Sequence, residues 1–247
     1  MIRLCAIFLA VTSLARWSVA QDAPASPPDA FRQGVESCQA GEYTKAIRAF
    51  QESLTARPAA GTLLNLGIAQ WRNGEAGEAL LSWEQAAWMD PFSRAARGNL
   101  RFARQVVDVE GPELRWYETV STWLPADAWA WLTGISLWLA VGMVTLPGIL
   151  RWRRAGWHQP LAAIGLGVFL FCIPAHIGII TRSHLGIVVG NDTALRLAPA
   201  QEADVSATLT AGEAARALRS RGNYVLVRTQ NGLGWIERNG FALICPR

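Results

Sequence analysis

Side chains able to do acid–base, nucleophilic or metal chemistry are few in this chain of 247 residues, and they stand far apart. The three histidines are His158, in a basic connector, His176, inside an apolar run, and His184, just past that run's end. A histidine base needs a nucleophile within hydrogen-bond reach and a third group to hold its ring. None of the three sits in such a pattern. No glycine-rich phosphate loop is present, and the carboxylates are scattered over polar helix faces. Cys5, Cys38, Cys172 and Cys245 lack the close spacings or histidine partners of a metal site. The chain is therefore expected to be no enzyme and to need no cofactor and no metal.

The remaining chemistry is recognition, and it depends on elements that repeat. Gly34, Gly41, Ala46, Phe50 and Pro58 recur at a constant offset as Gly67, Gly74, Ala79, Trp83 and Pro91, and Gly-Glu-Tyr at 41–43 returns as Gly-Glu-Ala at 74–76. Small residues at these spacings let two antiparallel helices approach, an aromatic fills between hairpins, and proline ends the second helix. This pattern resembles the tetratricopeptide repeat, with an offset one residue short of that family's period of about 34. A further helix, Ser93 to Asp108, begins like a third repeat with Asn99-Leu100 echoing Asn65-Leu66, and Glu110-Gly111-Pro112 stops it. Arg94, Arg97, Arg101 and Arg104 are expected to face water on this capping helix. The repeat unit is assigned to 30–108.

First helices of such hairpins line a concave face. Repeat spacing points Phe31, Val35, Leu64, Asn65, Ile68, Trp71, Arg72 and Asn99 toward it, where the two asparagines can hydrogen-bond an extended peptide. These are the candidate partner-binding residues. The carboxylate clamp of some such repeats needs a lysine and further cations at set groove positions. Phe31 and Val35 stand where its first contacts belong, so that activity is not carried over.

Two long uncharged runs, Ala128 to Leu150 and Pro160 to Ile180, flank Arg151-Trp152-Arg153-Arg154. Each is long enough as a helix to cross a hydrocarbon core of roughly 30 Å. The expectation is a membrane hairpin: first span 127–150, basic loop 151–159, second span 160–181. Arg151, Arg153 and Arg154 set its topology, because arginines in short loops stay cytoplasmic. Both flanking modules then lie on the exported side. Trp116, Trp123, Trp129, Trp131, Trp138, Trp152 and Trp157 hold seven of the twelve tryptophans near the hairpin borders, as headgroup-level rings do. A linker at 109–126, with an apolar face from Leu114 to Leu124, is expected to lie in the interface; a continuation of the solenoid is the alternative.

Within the spans, His176 has no acidic partner and is read as interfacial or helix-packing. Gly165 and Gly167 with Ala162 and Ala163 offer a small-residue face for close helix contact. Upstream, Arg3, an apolar stretch from Leu4 to Ala15 and Ser18-Val19-Ala20 read as an export signal over 1–20; an uncleaved anchor is the other reading. A proline-rich flexible lead follows at 21–29. Cys38, Cys172 and Cys245 are read as free thiols, with a Cys38 to Cys245 bridge open in an oxidising compartment. Apolar residues make up 51% and charged residues 17%, on the membrane side of ordinary composition. The densest cationic cluster is the hairpin loop, so nucleic acid is not an expected partner.

After Arg182 the pattern turns to short strands: Leu185 to Val189, a strand ending in Leu-Arg-Leu-Ala-Pro at 195–199, a Thr-Ala-Gly-Glu turn at 210–213, an alternating run from Tyr224 to Thr229, then Asn231-Gly232, a strong hairpin signal. With Gly-Leu-Gly-Trp at 232–235, the order resembles the bacterial SH3-like domain over 184–247. Trp235 either packs such a barrel or lines a peptide or glycan groove. The fold class is thus multi-domain: an all-α tetratricopeptide-type solenoid, a two-helix transmembrane hairpin and a small all-β SH3-like barrel.

That order of modules resembles the E proteins of the Bacteroides-aerotolerance (Bat) operons (BatE-like proteins). The resemblance implies a non-enzymatic inner-membrane scaffold or adaptor with two spans and both soluble domains periplasmic. It also implies partnership with von Willebrand A-type membrane proteins and, indirectly, a MoxR-type ATPase, in envelope stress or oxygen tolerance. A cell-wall sensor or anchor, contacting peptidoglycan peptide through Trp235, is the alternative.

Overall fold

The computed structural model of the chain describes residues 28–149 and 156–245. The expected export signal, most of the proline-rich lead and the three topology arginines, Arg151, Arg153 and Arg154, lie outside the described residues. Pro28 and Asp29, read as the end of the lead, instead open the first helix, α1 (Pro28–Gln39). Proline suits a first helical turn because its missing N–H has no intrahelical partner there.

Helices α1 and α2 (Tyr43–Ala56) form one hairpin, and α3 (Ala60–Arg72) and α4 (Ala76–Met89) form the next, followed by α5 (Arg94–Val107). The recurring residues touch each other. Gly34 lies against the Phe50 ring so closely that a Cβ would come within 2.6 Å of it, and Gly67 stands in the same relation to Trp83 at 2.5 Å. The Trp83 indole also donates to the Leu64 carbonyl at 3.1 Å, tying α4 to α3. In α5, Ser93 accepts from the Ala96 N–H as the N-cap, and Asp108 ends the helix in the left-handed region at φ 56°. Arg94, Arg97 and Arg101 are exposed. Arg104 is not: it turns inward and pairs with Glu84 of α4.

The linker holds a shorter helix than its apolar face suggests, α6 (Trp116–Ser121). Glu118 accepts from the Arg115 N–H at 2.9 Å and fixes its start. Two helices long and apolar enough to cross a membrane follow, α7 (Ala126–Ile149) and α8 (His158–Arg182). Helix α8 begins two residues before the apolar run, at His158. Trp129 near the start of α7 packs on Cys172 and Ala175 near the end of α8. Gly165 meets Ser136 and Ala140 further along, so the pair is antiparallel. Gly167, by contrast, is exposed. Only 17% and 22% of the apolar windows are buried within the protein. Trp131, Ile135, Trp138, Ile164 and Leu170 point outward, an exposed apolar surface of the kind that meets a membrane or a protein partner.

Seven antiparallel strands complete the chain: β1 (Leu185–Val188), β2 (Thr193–Arg196), β3 (Val205–Leu209), β4 (Ala214–Arg221), β5 (Tyr224–Thr229), β6 (Gly232–Glu237) and β7 (Phe241–Leu243), in the order β3-β2-β6-β5-β4-β1-β7. The β5–β6 hairpin forms, but Thr229 pairs with Gly232. Gln230 and Asn231 therefore make its loop, and Gly232 opens β6 at φ 125°.

The sheet is not a separate bead. Leu80, Leu81, Trp83, Leu100 and Ala103 of the repeat share one buried cluster with Val109, Leu185, Ile187 and Ile244. Fusing the two modules this way buries the apolar side of α4, which a solenoid ending at α5 leaves uncovered.

Candidate functional site

The expected groove residues divide into those that hold the helices together and those that remain accessible. Phe31 and Val35 pack against Ala46, Ile47, Phe50 and Leu66, with the Phe31 and Phe50 rings 5.8 Å apart. Leu64, Ile68 and Trp71 pack against the shared cluster. Asn65 donates its amide to the Gly61 carbonyl one turn back, at 3.0 Å. Asn99 is half-buried, and Arg72 is exposed at the end of α3. The spacing put all eight on one face of the hairpins; in the folded chain seven of them are half-buried and Arg72 is exposed.

That face has members the spacing argument did not name. Phe102 is 56% exposed and Val106 60% exposed. The Phe102 ring meets Trp71 edge-on at 5.9 Å. The signal was present: if Asn99-Leu100 matches Asn65-Leu66, Phe102 falls in register with Ile68. Trp71, Phe102 and Val106, with Arg72 following Trp71 in sequence, give this face apolar area and an adjacent cation. In the sheet, Trp235 is half-buried on β6, opposite Arg196 of β2 and Leu226 of β5.

A second constellation lies at the junction of α4, α5, α6, α8 and the sheet. Glu118 has a side chain with 0% exposure and pairs with Arg216 of β4. Both guanidinium nitrogens donate to it, Nη1 to Oε1 at 2.8 Å and Nη2 to Oε2 at 3.0 Å. Arg216 Nη1 also donates to the Thr181 carbonyl at 3.0 Å. One side chain thus holds strand, linker helix and the end of α8 together. On the other side of α6, Arg182 Nη1 donates to Ser121 Oγ at 3.0 Å, and its guanidinium lies over Trp88, 4.5 Å from the ring centroid. Close contact is possible because α8 carries Gly178, where a Cβ would come within 2.9 Å of Ser121 Cβ.

The two buried carboxylates of this junction respond oppositely to their surroundings. Burial by itself raises Glu118, but the Arg216 hydrogen bonds, the Arg115 N–H, Thr181 and the Arg216 charge outweigh it and hold the carboxyl below its ordinary range. For Glu84, burial prevails over Arg104 and Arg182 and pushes the carboxyl up. A cleft of about 680 Å³ opens between the linker and the β4–β5 side of the sheet, with Glu110, Arg115, Glu213 and Arg228 on its walls. Among the described residues, no three His, Cys, Asp or Glu side chains converge as metal ligands do. Cys38 and Cys172 are free thiols.

Sequence reasoning placed the carboxylates on solvated faces, and Glu84 and Glu118 depart from this. Their arginine partners come from other elements, which spacing along one helix cannot reveal. No protein-family model matches the chain, and no curated protein matches it significantly.

Proposed function

We propose that the chain is a membrane-anchored, non-enzymatic scaffold whose helical hairpins and β module bind segments of partner proteins on one side of the membrane. The observation that carries this reading is the antiparallel pair α7 and α8. Their outward surface is apolar, and the same end of the pair that receives the linker also releases the sheet. Lipid is the solvent that suits such a surface, and a hairpin of this form leaves both modules on one side. The arginine-rich connector favours the cytoplasm for the turn and the periplasm for the modules.

Binding is assigned to the helical hairpins because Trp71, Phe102, Val106 and Arg72 combine apolar area with adjacent charge, the composition of interface centres. The likeness to tetratricopeptide repeats, SH3-like domains and the E proteins of the aerotolerance operons supplies the partner class. This class is von Willebrand A-type membrane proteins, acting with a MoxR-type ATPase in envelope stress or oxygen tolerance. A photoreactive phenylalanine analogue placed at Phe102 or at Arg72 is expected to crosslink one discrete membrane protein in cells. The same analogue at Arg48, on an exposed position of α2, is expected not to. Identical adducts from all three positions, or none from any, would reject the groove as the binding face.

A further inference from the structure

A cavity of about 300 Å³ lies where the last turn of α8 meets α4, α5 and the linker. Its ionisable wall residues are Glu84, Arg97, Arg104 and Arg182, and Trp88, Leu114, Leu185 and Ile244 supply apolar wall. Three guanidiniums face one carboxylate. Arg104 and Glu84 form an ion pair with side chains only 25% and 14% exposed. The other buried carboxylate of the junction, Glu118, is paired with Arg216 and its charge also reaches Arg182, which leaves four guanidiniums to two carboxylates. Along α5 the same arginines, Arg97 and Arg104, line a shallow trough with Arg101, Asp108 and Glu110 that adjoins the cavity.

Excess charge in a partly dehydrated site is costly until an opposite charge joins it. Guanidinium forks match the paired oxygens of a phosphate. Position supplies the source. Arg182 is the last residue of α8, and Thr122, also on the cavity wall, precedes the start of α7. The cavity therefore sits at headgroup level when the hairpin spans a bilayer, with Trp116 and Trp123 exposed nearby in the linker.

We propose that this cavity binds the phosphate of an anionic phospholipid headgroup, held between Arg97 and Arg182, whose guanidinium rests on the Trp88 ring. The proposal rests on the membrane-spanning reading. Lipid bound there touches both modules and the end of α8, and so stabilises the docked junction.

The test uses the full chain, purified in detergent free of phosphate and titrated during thermal unfolding. Short-chain phosphatidylglycerol is expected to raise the melting temperature saturably, while phosphatidylcholine of equal chain length has little effect. Arg97 is exposed at the rim, and among the described residues its side chain hydrogen-bonds only the Ser93 carbonyl, so R97Q should fold normally. It is expected to weaken the phosphatidylglycerol response by about tenfold, the loss of one charge-assisted hydrogen bond. R182K, which keeps the charge and loses the fork, should fall between. A saturable response to inorganic phosphate as strong as to the lipid would keep the oxyanion site and assign it a soluble source. Equal responses to the two lipids, or an unchanged response in both variants, would overturn the site. Alkaline extraction of native membranes tests the spanning reading separately: a chain that resists extraction but ignores phosphatidylglycerol has lost only this proposal.

Discussion

Replacement of Arg216 by methionine is expected to destabilise the protein by about 3–5 kcal/mol, the usual cost of leaving a buried charge without its partner. The expectation follows from Glu118, whose side chain is fully buried and whose two oxygens both accept from Arg216. The double variant E118Q/R216M should recover most of the loss, because no uncompensated charge remains. Chemical unfolding in detergent measures both. The pH dependence adds a sign. Glu118 sits below the ordinary glutamate value of 4.5 when folded, so its contribution is complete above that value and disappears as pH falls through the folded-state value. In R216M, burial is opposed only by the Arg115 N–H and Thr181, so Glu118 rises relative to wild type and acid relieves the defect. The stability gap between wild type and R216M should therefore narrow as the solution is acidified below pH 4.5. Glu84 is shifted the other way, with stability present below its unfolded value and lost as pH rises through the raised one, but this term is common to both proteins and cancels. A gap that widens in acid would contradict the pairing.

The second large effect belongs to Trp83. Its ring is 2% exposed, donates to the Leu64 carbonyl and stands 5.9 Å from Trp71. Trp83→Ala is expected to cost about 3–5 kcal/mol through the cavity and the lost burial. Where the damage spreads matters more than its size. Trp83 shares a buried cluster with Leu185, Ile187 and Ile244, so hydrogen exchange should accelerate in β1 as well as in α3 and α4. Loss of protection confined to the helices would show that the repeat and the sheet fold as independent units.

The repeat was legible because Gly34 with Phe50 and Gly67 with Trp83 are neighbours within one hairpin, and a constant offset exposes a local contact. The two apolar helices were legible from length alone. Strand β3 was not anticipated. It is a sheet-edge strand with Val205, Ser206 and Thr208 exposed, so burial imposed no apolar signature on it. The docking of the modules was also hidden. Glu118 and Arg216 are separated in sequence by both long apolar helices and the first three strands. Gln85, which donates to the Leu243 carbonyl at 3.2 Å, looks like any polar helix residue. The candidate groove was half legible: periodicity put its residues on one face, but it could not say that Phe31, Val35, Leu64 and Ile68 are half-buried in helix packing while Phe102 is left exposed.

Everything proposed about partners and lipid depends on the hairpin holding both modules on one side of a membrane. Labelling with a membrane-impermeant maleimide tests this most directly, using full-length chains in which the native cysteines are replaced and one cysteine stands at Arg72, Arg228 or Gly156. Intact cells should label the chains carrying R72C and R228C, and G156C should react only after the membrane is opened. Reaction of G156C together with R72C in intact cells, or of R72C without R228C, would contradict the account.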